Sequence, residues 1–128
     1  MIEYTVTVDE KGTRRWHLNG ELHREDGPAL EKVDGYKAWY QNDQLHREDG
    51  PACEFSNGYK EWFLNGKRHR EDGPAVEWIN GSKEWWLNGD YLTEEEFNER
   101  TQFKTIIMDG KEIKLSIESF NELKKQLT

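Results

Sequence analysis

A single cysteine, Cys53, in 128 residues rules out any disulfide within the chain. Disulfide frameworks belong to oxidising compartments, so a reducing one, the cytoplasm, is the expected setting. No apolar run approaches the ~20 residues that a membrane-spanning helix requires. The opening stretch "MIEYTVTVDEKG" has neither a basic segment nor an apolar one, so it does not read as a secretory signal. Positive charge is also in short supply: 18 Lys and Arg stand against 26 Asp and Glu, a formal charge of −8. An acidic body is repelled by nucleic-acid phosphates and anionic lipid heads, which argues against both as partners. Gly-rich phosphate loops, nucleophile elbows and paired-cysteine motifs are missing, and with them the usual signatures of nucleotide, acyl-transfer and redox chemistry. The expectation is a protein without cofactor or metal that is not an enzyme.

Aromatic residues are what the chain has. Only 34% of residues are apolar and another 34% are charged, a balance close to that of disordered chains. Six Trp, five Tyr and five Phe reverse that reading, because each buries a large area. They recur in phase: Trp16, Trp39, Trp62 and Trp85 share a period of 23 with Gly12, Gly35, Gly58 and Gly81. Inside the period the heptamer HREDGPA occurs three times unaltered, from His23, His46 and His69. Such repetition is the mark of a modular array.

Each unit reads as two extended segments separated by turns. "YKEWFL" runs into Asn65-Gly66, which tolerates the positive φ angles of a type I′ hairpin, and Asn19-Gly20 and Asn88-Gly89 repeat the signal. A second segment such as "ACEFS" ends at Asn57-Gly58. A two-residue turn at Asn65-Gly66 sets Trp62 across from His69, and likewise Trp16 across from His23 and Trp39 across from His46. These residues, with Trp85, are expected to be structural, the tryptophans buried and each imidazole packed on its tryptophan. The same two-residue geometry at Asn57-Gly58 opposes Glu54 to Glu61, an unfavourable pair, so that turn must be longer or bulged.

"GYKEWFLNGKRHREDGPAVEWING" resembles a MORN-type repeat in its period, its aromatic strand and its "NGKRH" turn. It resembles the degenerate bacterial and phage variants, some of them grouped as YwqK-type antitoxins. The likeness covers residues 12 to about 92, with "REDGPA" in place of a glycine-rich stretch. It implies a hairpin-array fold and a binding or scaffolding role, without naming a ligand.

The fold expected is therefore mainly β: a MORN-like array of antiparallel β-hairpins in a single meandering sheet over residues 1–92, then a small αββα cap over residues 93–128. Thr93 with Glu96 forms a capping box for a helix over about 94–100. A hairpin around Asp109-Gly110 follows, then a helix with Ile117, Phe120, Leu123 and Leu127 on one face.

Charged residues in the heptamer tempt a catalytic or metal-binding reading. Neighbouring copies, two strands apart at ~4.8 Å per strand, separate the histidines by ~10 Å, too far to share one metal. Identical carboxylate pairs in identical settings give no division between acid and base. The structural alternative is a tight turn in which Asp bonds nearby backbone and Gly takes an unusual φ, with Arg and Glu paired between stacked repeats. Function then rests on a partner surface, for which Tyr40, Phe63, Arg68 and Trp86 are the candidates, and the acidic loops at Asp26, Asp49 and Asp72 the alternative. The class expected is a non-catalytic protein-binding module, an inhibitor or antitoxin of phage or mobile-element type. A small-ligand binder or enzyme with a pocket between sheet and tail is the competing class.

Overall fold

A computed structural model describes residues 2–127. The chain forms two compact units, one ending at Tyr91 and the other beginning at Leu92. It is mainly β. Among the described residues no helix is long and apolar enough to cross a membrane.

The first unit is built on a long antiparallel sheet whose strands follow in chain order: Thr5–Val8, Arg14–Leu18, Leu30–Glu31, Lys37–Ala38, Cys53–Glu54, Lys60–Glu61, Val76–Glu77 and Lys83–Leu87. The hairpin meander expected from the repeat is present, but not all of it lies in one sheet. Tyr40–Gln41 pairs only with Gln44–Leu45, and Phe63–Leu64 only with Lys67–Arg68, as separate two-stranded ribbons. The switch occurs at tryptophan. Trp39 donates its N–H to the Ala52 carbonyl of the next long hairpin at 2.8 Å, while its own carbonyl accepts the His46 N–H at 2.9 Å across the short one. Trp62 does the same with Ala75 and His69, at 2.7 and 3.1 Å. The chain thus turns about Trp39 and Trp62, from one hairpin into the next, whereas Trp16 and Trp85 lie within the unbroken strands Arg14–Leu18 and Lys83–Leu87.

The two turn types follow from their residues. The short hairpins have Asn19, Asn65 and Asn88 at φ 53°, 51° and 49°, each followed by a glycine near +80°, which is type I′ geometry. Asn42-Asp43 forms the same turn without glycine. The long hairpins close through three-residue loops such as Ser56-Asn57-Gly58, where Phe55 N–H bonds the Tyr59 carbonyl and Asn57 Oδ1 accepts the Tyr59 N–H. This extra residue removes the like-charge conflict. Glu54 faces Lys60 on one side and Lys37 on the other. Glu31 likewise lies between Arg14 and Lys37, and Glu77 between Lys60 and Lys83. One row across the sheet therefore alternates in sign from Arg14 to Lys83.

The interior of this unit is made of small side chains. Ala29, Ala38, Ala52 and Ala75 have no exposed surface, and Cys53 and Val76 are buried beside them. Trp16, Trp39, Trp62 and Trp85 are half-buried instead of buried.

The second unit has the expected order helix, hairpin, helix. The helix Glu94–Gln102 starts at Thr93 with the reciprocal bonds of a capping box, Thr93 to the Glu96 N–H and Glu96 to the Thr93 N–H. Strands Phe103–Met108 and Lys111–Ser116 pair across Asp109-Gly110, and the helix Ile117–Gln126 follows. Ile117, Phe120 and Leu123 are half-buried, whereas Leu127, just past the helix, is exposed and does not extend their face.

The alternating row is a testable source of stability. Lys60→Glu sets a carboxylate between Glu54 and Glu77, replacing two favourable cross-strand pairs with two repulsive ones. It should cost ~1–2 kcal/mol in urea titration, whereas the same charge change at exposed Lys11 should cost little. Equal losses from the two substitutions would mean that net charge, not the row, is responsible.

Candidate binding loops

The three heptamer loops are built around their arginines. Arg24, Arg47 and Arg70 lie over the rings of Trp16, Trp39 and Trp62 with Cζ 4.0, 3.9 and 4.0 Å from the ring centres. Each Nε donates to the aspartate two residues on, at 3.1, 3.0 and 2.8 Å. Each Nη1 donates to the carbonyl of the following proline, Pro28, Pro51 or Pro74. The same guanidinium meets Glu31, Glu54 or Glu77 within its own repeat, at 3.6, 3.0 and 3.1 Å. A planar fork of donors with a stacking face suits these tasks together, as a lysine could not.

This geometry corrects three expectations. The group stacked on each tryptophan is the arginine, although the histidine does occupy the expected cross-strand position. The Arg–Glu pairs close each loop on its own strand and do not join repeats. The aspartates accept from arginine, and Gly27, Gly50 and Gly73 are absent from the positive-φ positions. These glycines make room: a Cβ at each would stand 3.0, 2.9 and 2.9 Å from the guanidinium carbon.

Histidine provides the joint between repeats. Nδ1 of His23, His46 and His69 accepts the backbone N–H of Asn42, Asn65 and Asn88, the first turn residue of the next hairpin, at 3.1, 3.0 and 2.9 Å. An Nδ1 that accepts leaves the ring proton on Nε2. That atom points toward Glu25, Glu48 or Glu71, 3.6, 3.6 and 3.5 Å away. Further backbone bonds, from Asp43 to Leu22, Gly66 to Leu45 and Gly89 to Arg68, run beside each imidazole contact. Among the described residues no three His, Cys, Asp or Glu side chains converge as a metal would require.

The candidate aromatic surface is largely engaged. Tyr40, Phe63 and Trp86 are half-buried. Arg68 bonds Glu61 at 3.2 Å and lies 5.7 Å from the Phe63 ring and 5.2 Å from that of Trp86. Trp86 donates to Glu84 and packs on Tyr91. The acidic candidates stand clear: the side chains of Asp26, Asp49 and Asp72 are 78, 88 and 85% exposed, with Glu25, Glu48 and Glu71 beside them.

Sequence reasoning missed an aromatic row at the long-hairpin ends. Tyr36, Phe55, Tyr59 and Trp78 follow one another across the sheet with ring centres 4.6, 5.1 and 5.5 Å apart. Aligning the repeats on residues 36, 59, 55 and 78, as on the tryptophans, exposes it. Tyr36 donates its hydroxyl to Cys53 Sγ at 3.7 Å. Burial pushes the Cys53 thiol up to about 11, and burial with Glu61 nearby pushes Tyr59 up to about 12. No family model, curated protein or solved structure matches the chain.

Two outcomes follow from this geometry. Gly50→Ala should destabilise the array by ~1–3 kcal/mol, but by far less when Arg47→Ala is already present, since the clash partner is then gone. A double-mutant cycle measures this; additive losses would mean that the glycine has another role. Because the folded thiol resists ionisation, its contribution is complete below 9.0 and is lost as pH rises through about 11. Melting temperature should fall across that window, and Cys53→Val should shallow the fall.

Proposed function

We propose that this chain is a non-catalytic protein-binding module of MORN-like type, serving as an inhibitor or antitoxin of phage or mobile-element origin. One observation supports it above the others: three identical loops hold their arginines and histidines inward and turn carboxylate pairs outward at a regular interval. A catalytic centre needs different groups converging once, whereas a repeated outward group suits an extended partner surface. The net charge of −8 favours a basic protein target over nucleic acid or membrane.

The loops are the better-supported working face. Arg68, Phe63 and Trp86 already satisfy one another, so the first-favoured aromatic candidates contribute mainly to packing between hairpins. Glu48 and Glu71 can be changed without touching the Arg–Trp contact. Affinity capture with the full chain, followed by the double variant Glu48→Lys, Glu71→Lys, is the test. A specific protein partner should be held by the native chain and lost at least tenfold by the variant, and binding should weaken steeply with salt. Tyr40→Ser should instead lower the melting temperature and leave affinity unchanged. Thermal stabilisation by a small metabolite with no protein retained would overturn the reading.

A further inference from the structure

Two clefts separate the consecutive loops. The first, ≈ 570 Å³, is lined by Trp39, Gln41 and His46 together with Asp26 and Glu48. The second, ≈ 640 Å³, is lined by Trp62, Leu64 and His69 together with Asp49 and Glu71. Each has an aromatic residue, an imidazole and carboxylates of two successive loops.

Ahead of the first loop, the chain supplies an occupant of its own. Tyr4 is half-buried and its hydroxyl accepts the Glu25 N–H at 3.0 Å. The pairing of Thr5 with His17 sets Tyr4 beside Leu18, the repeat equivalent of Gln41 and Leu64 in the clefts. Nε2 of His23, on a side chain nine-tenths buried, is closed off from solvent with no hydrogen-bond partner. His46 and His69, its equivalents, have side chains as deeply buried and line the two clefts. The N–H groups of Glu48 and Glu71 are the equivalents of the one that Tyr4 binds. Among the described residues neither has a hydrogen-bond partner.

We propose that the two clefts are docking sites for tyrosine side chains of a basic, extended polypeptide, each hydroxyl accepting the Glu48 or Glu71 N–H as Tyr4 accepts that of Glu25. This rests on the protein-binding reading and specifies the partner. Spacing selects the form of the segment: successive clefts are two strands apart, ~10 Å, and a polyproline II chain advances ~9.3 Å in three residues while returning to the same face. Tyrosines three residues apart therefore reach both clefts from one side of such a segment. Charge selects its other residues. Exposed Glu48, Asp49, Glu71 and Asp72 flank the clefts, so lysine or arginine belongs beside each tyrosine.

The test titrates the synthetic peptide Lys-Tyr-Lys-Pro-Tyr-Lys into the full chain and follows backbone amide resonances. Those of Glu48 and Glu71 should move and saturate, while that of Glu25 stays still. The peptide with Phe at both Tyr positions should bind about thirtyfold more weakly, the worth of two hydrogen bonds of ~1 kcal/mol each. Tyr4→Ser, checked for folding by its melting curve, should open a third site and bring Glu25 into the response. Gln41→Trp fills the first cleft and should silence Glu48 but not Glu71, which keeps the test decisive if Tyr4→Ser does not fold. Still resonances at millimolar peptide, equal affinity for the Tyr and Phe peptides, or equal affinity for a Glu-flanked peptide would each overturn the proposal. Concentration-dependent shifts without peptide would overturn it too, assigning the clefts to a second copy's N-terminal segment. A captured protein partner whose affinity survives Gln41→Trp and Leu64→Trp would sink this inference and leave the broader function standing.

Discussion

The arginine stacked on tryptophan is the contact on which the array depends. One guanidinium covers the open flank of a half-buried ring, and its donors hold an aspartate, a proline carbonyl and a glutamate along seven residues of chain. A cation over an aromatic face contributes ~0.5–2 kcal/mol, and charge-assisted hydrogen bonds add to it where the group is partly withdrawn from water. At Trp39 and Trp62 the tryptophan is also where the strand leaves one hairpin for the next. The same residue therefore sets the backbone bend and supplies the platform that fastens the loop after it. Glycine at Gly27, Gly50 and Gly73 follows directly, since a methyl group there would displace the guanidinium.

Between repeats the coupling is of another kind. Each imidazole accepts an amide from the next Asn turn, so a type I′ hairpin, marginal alone, is held by its predecessor. Such nearest-neighbour bonds are how a linear array becomes cooperative. The alternating row from Arg14 to Lys83 ties the same neighbours along the other half of each unit. Large buried side chains are few, and the interior is mostly alanine. In place of a thick core, stability is spread over stacked cations, imidazole–amide bonds and opposite charges, which explains how a chain one-third charged folds at all.

The outward character of the loops is a by-product of this arrangement. Arginine and histidine find their partners within the array, so glutamate and aspartate define the outer surface of the loops. Tyr4 meets the first of the three loops, where its hydroxyl accepts the Glu25 N–H.

Much of the first unit was legible from the chain. The period of 23, the Asn-Gly turns and the cross-strand position of Trp62 and His69 depend only on spacing and on which residues tolerate positive φ, both local properties. The identity of the stacking partner was not local. Arg70 follows His69 by one residue, and strand alternation alone cannot decide which of the two side chains folds back over Trp62 once the chain leaves the strand. The loop of Ser56-Asn57-Gly58 was only half legible: opposed glutamates ruled out a two-residue turn, but the choice of a third loop residue came from pairing Glu54 with lysines on both neighbours. Histidine's bond to the next repeat, and the engagement of Arg68 with Glu61, needed three dimensions, because each joins positions whose proximity is created by stacking. What the sequence determined by itself was the repeat, its turns and its acidic balance. Which charged groups turn inward and which face outward was decided only by the tertiary structure, since a part-buried fork of donors must be satisfied and an exposed carboxylate need not be.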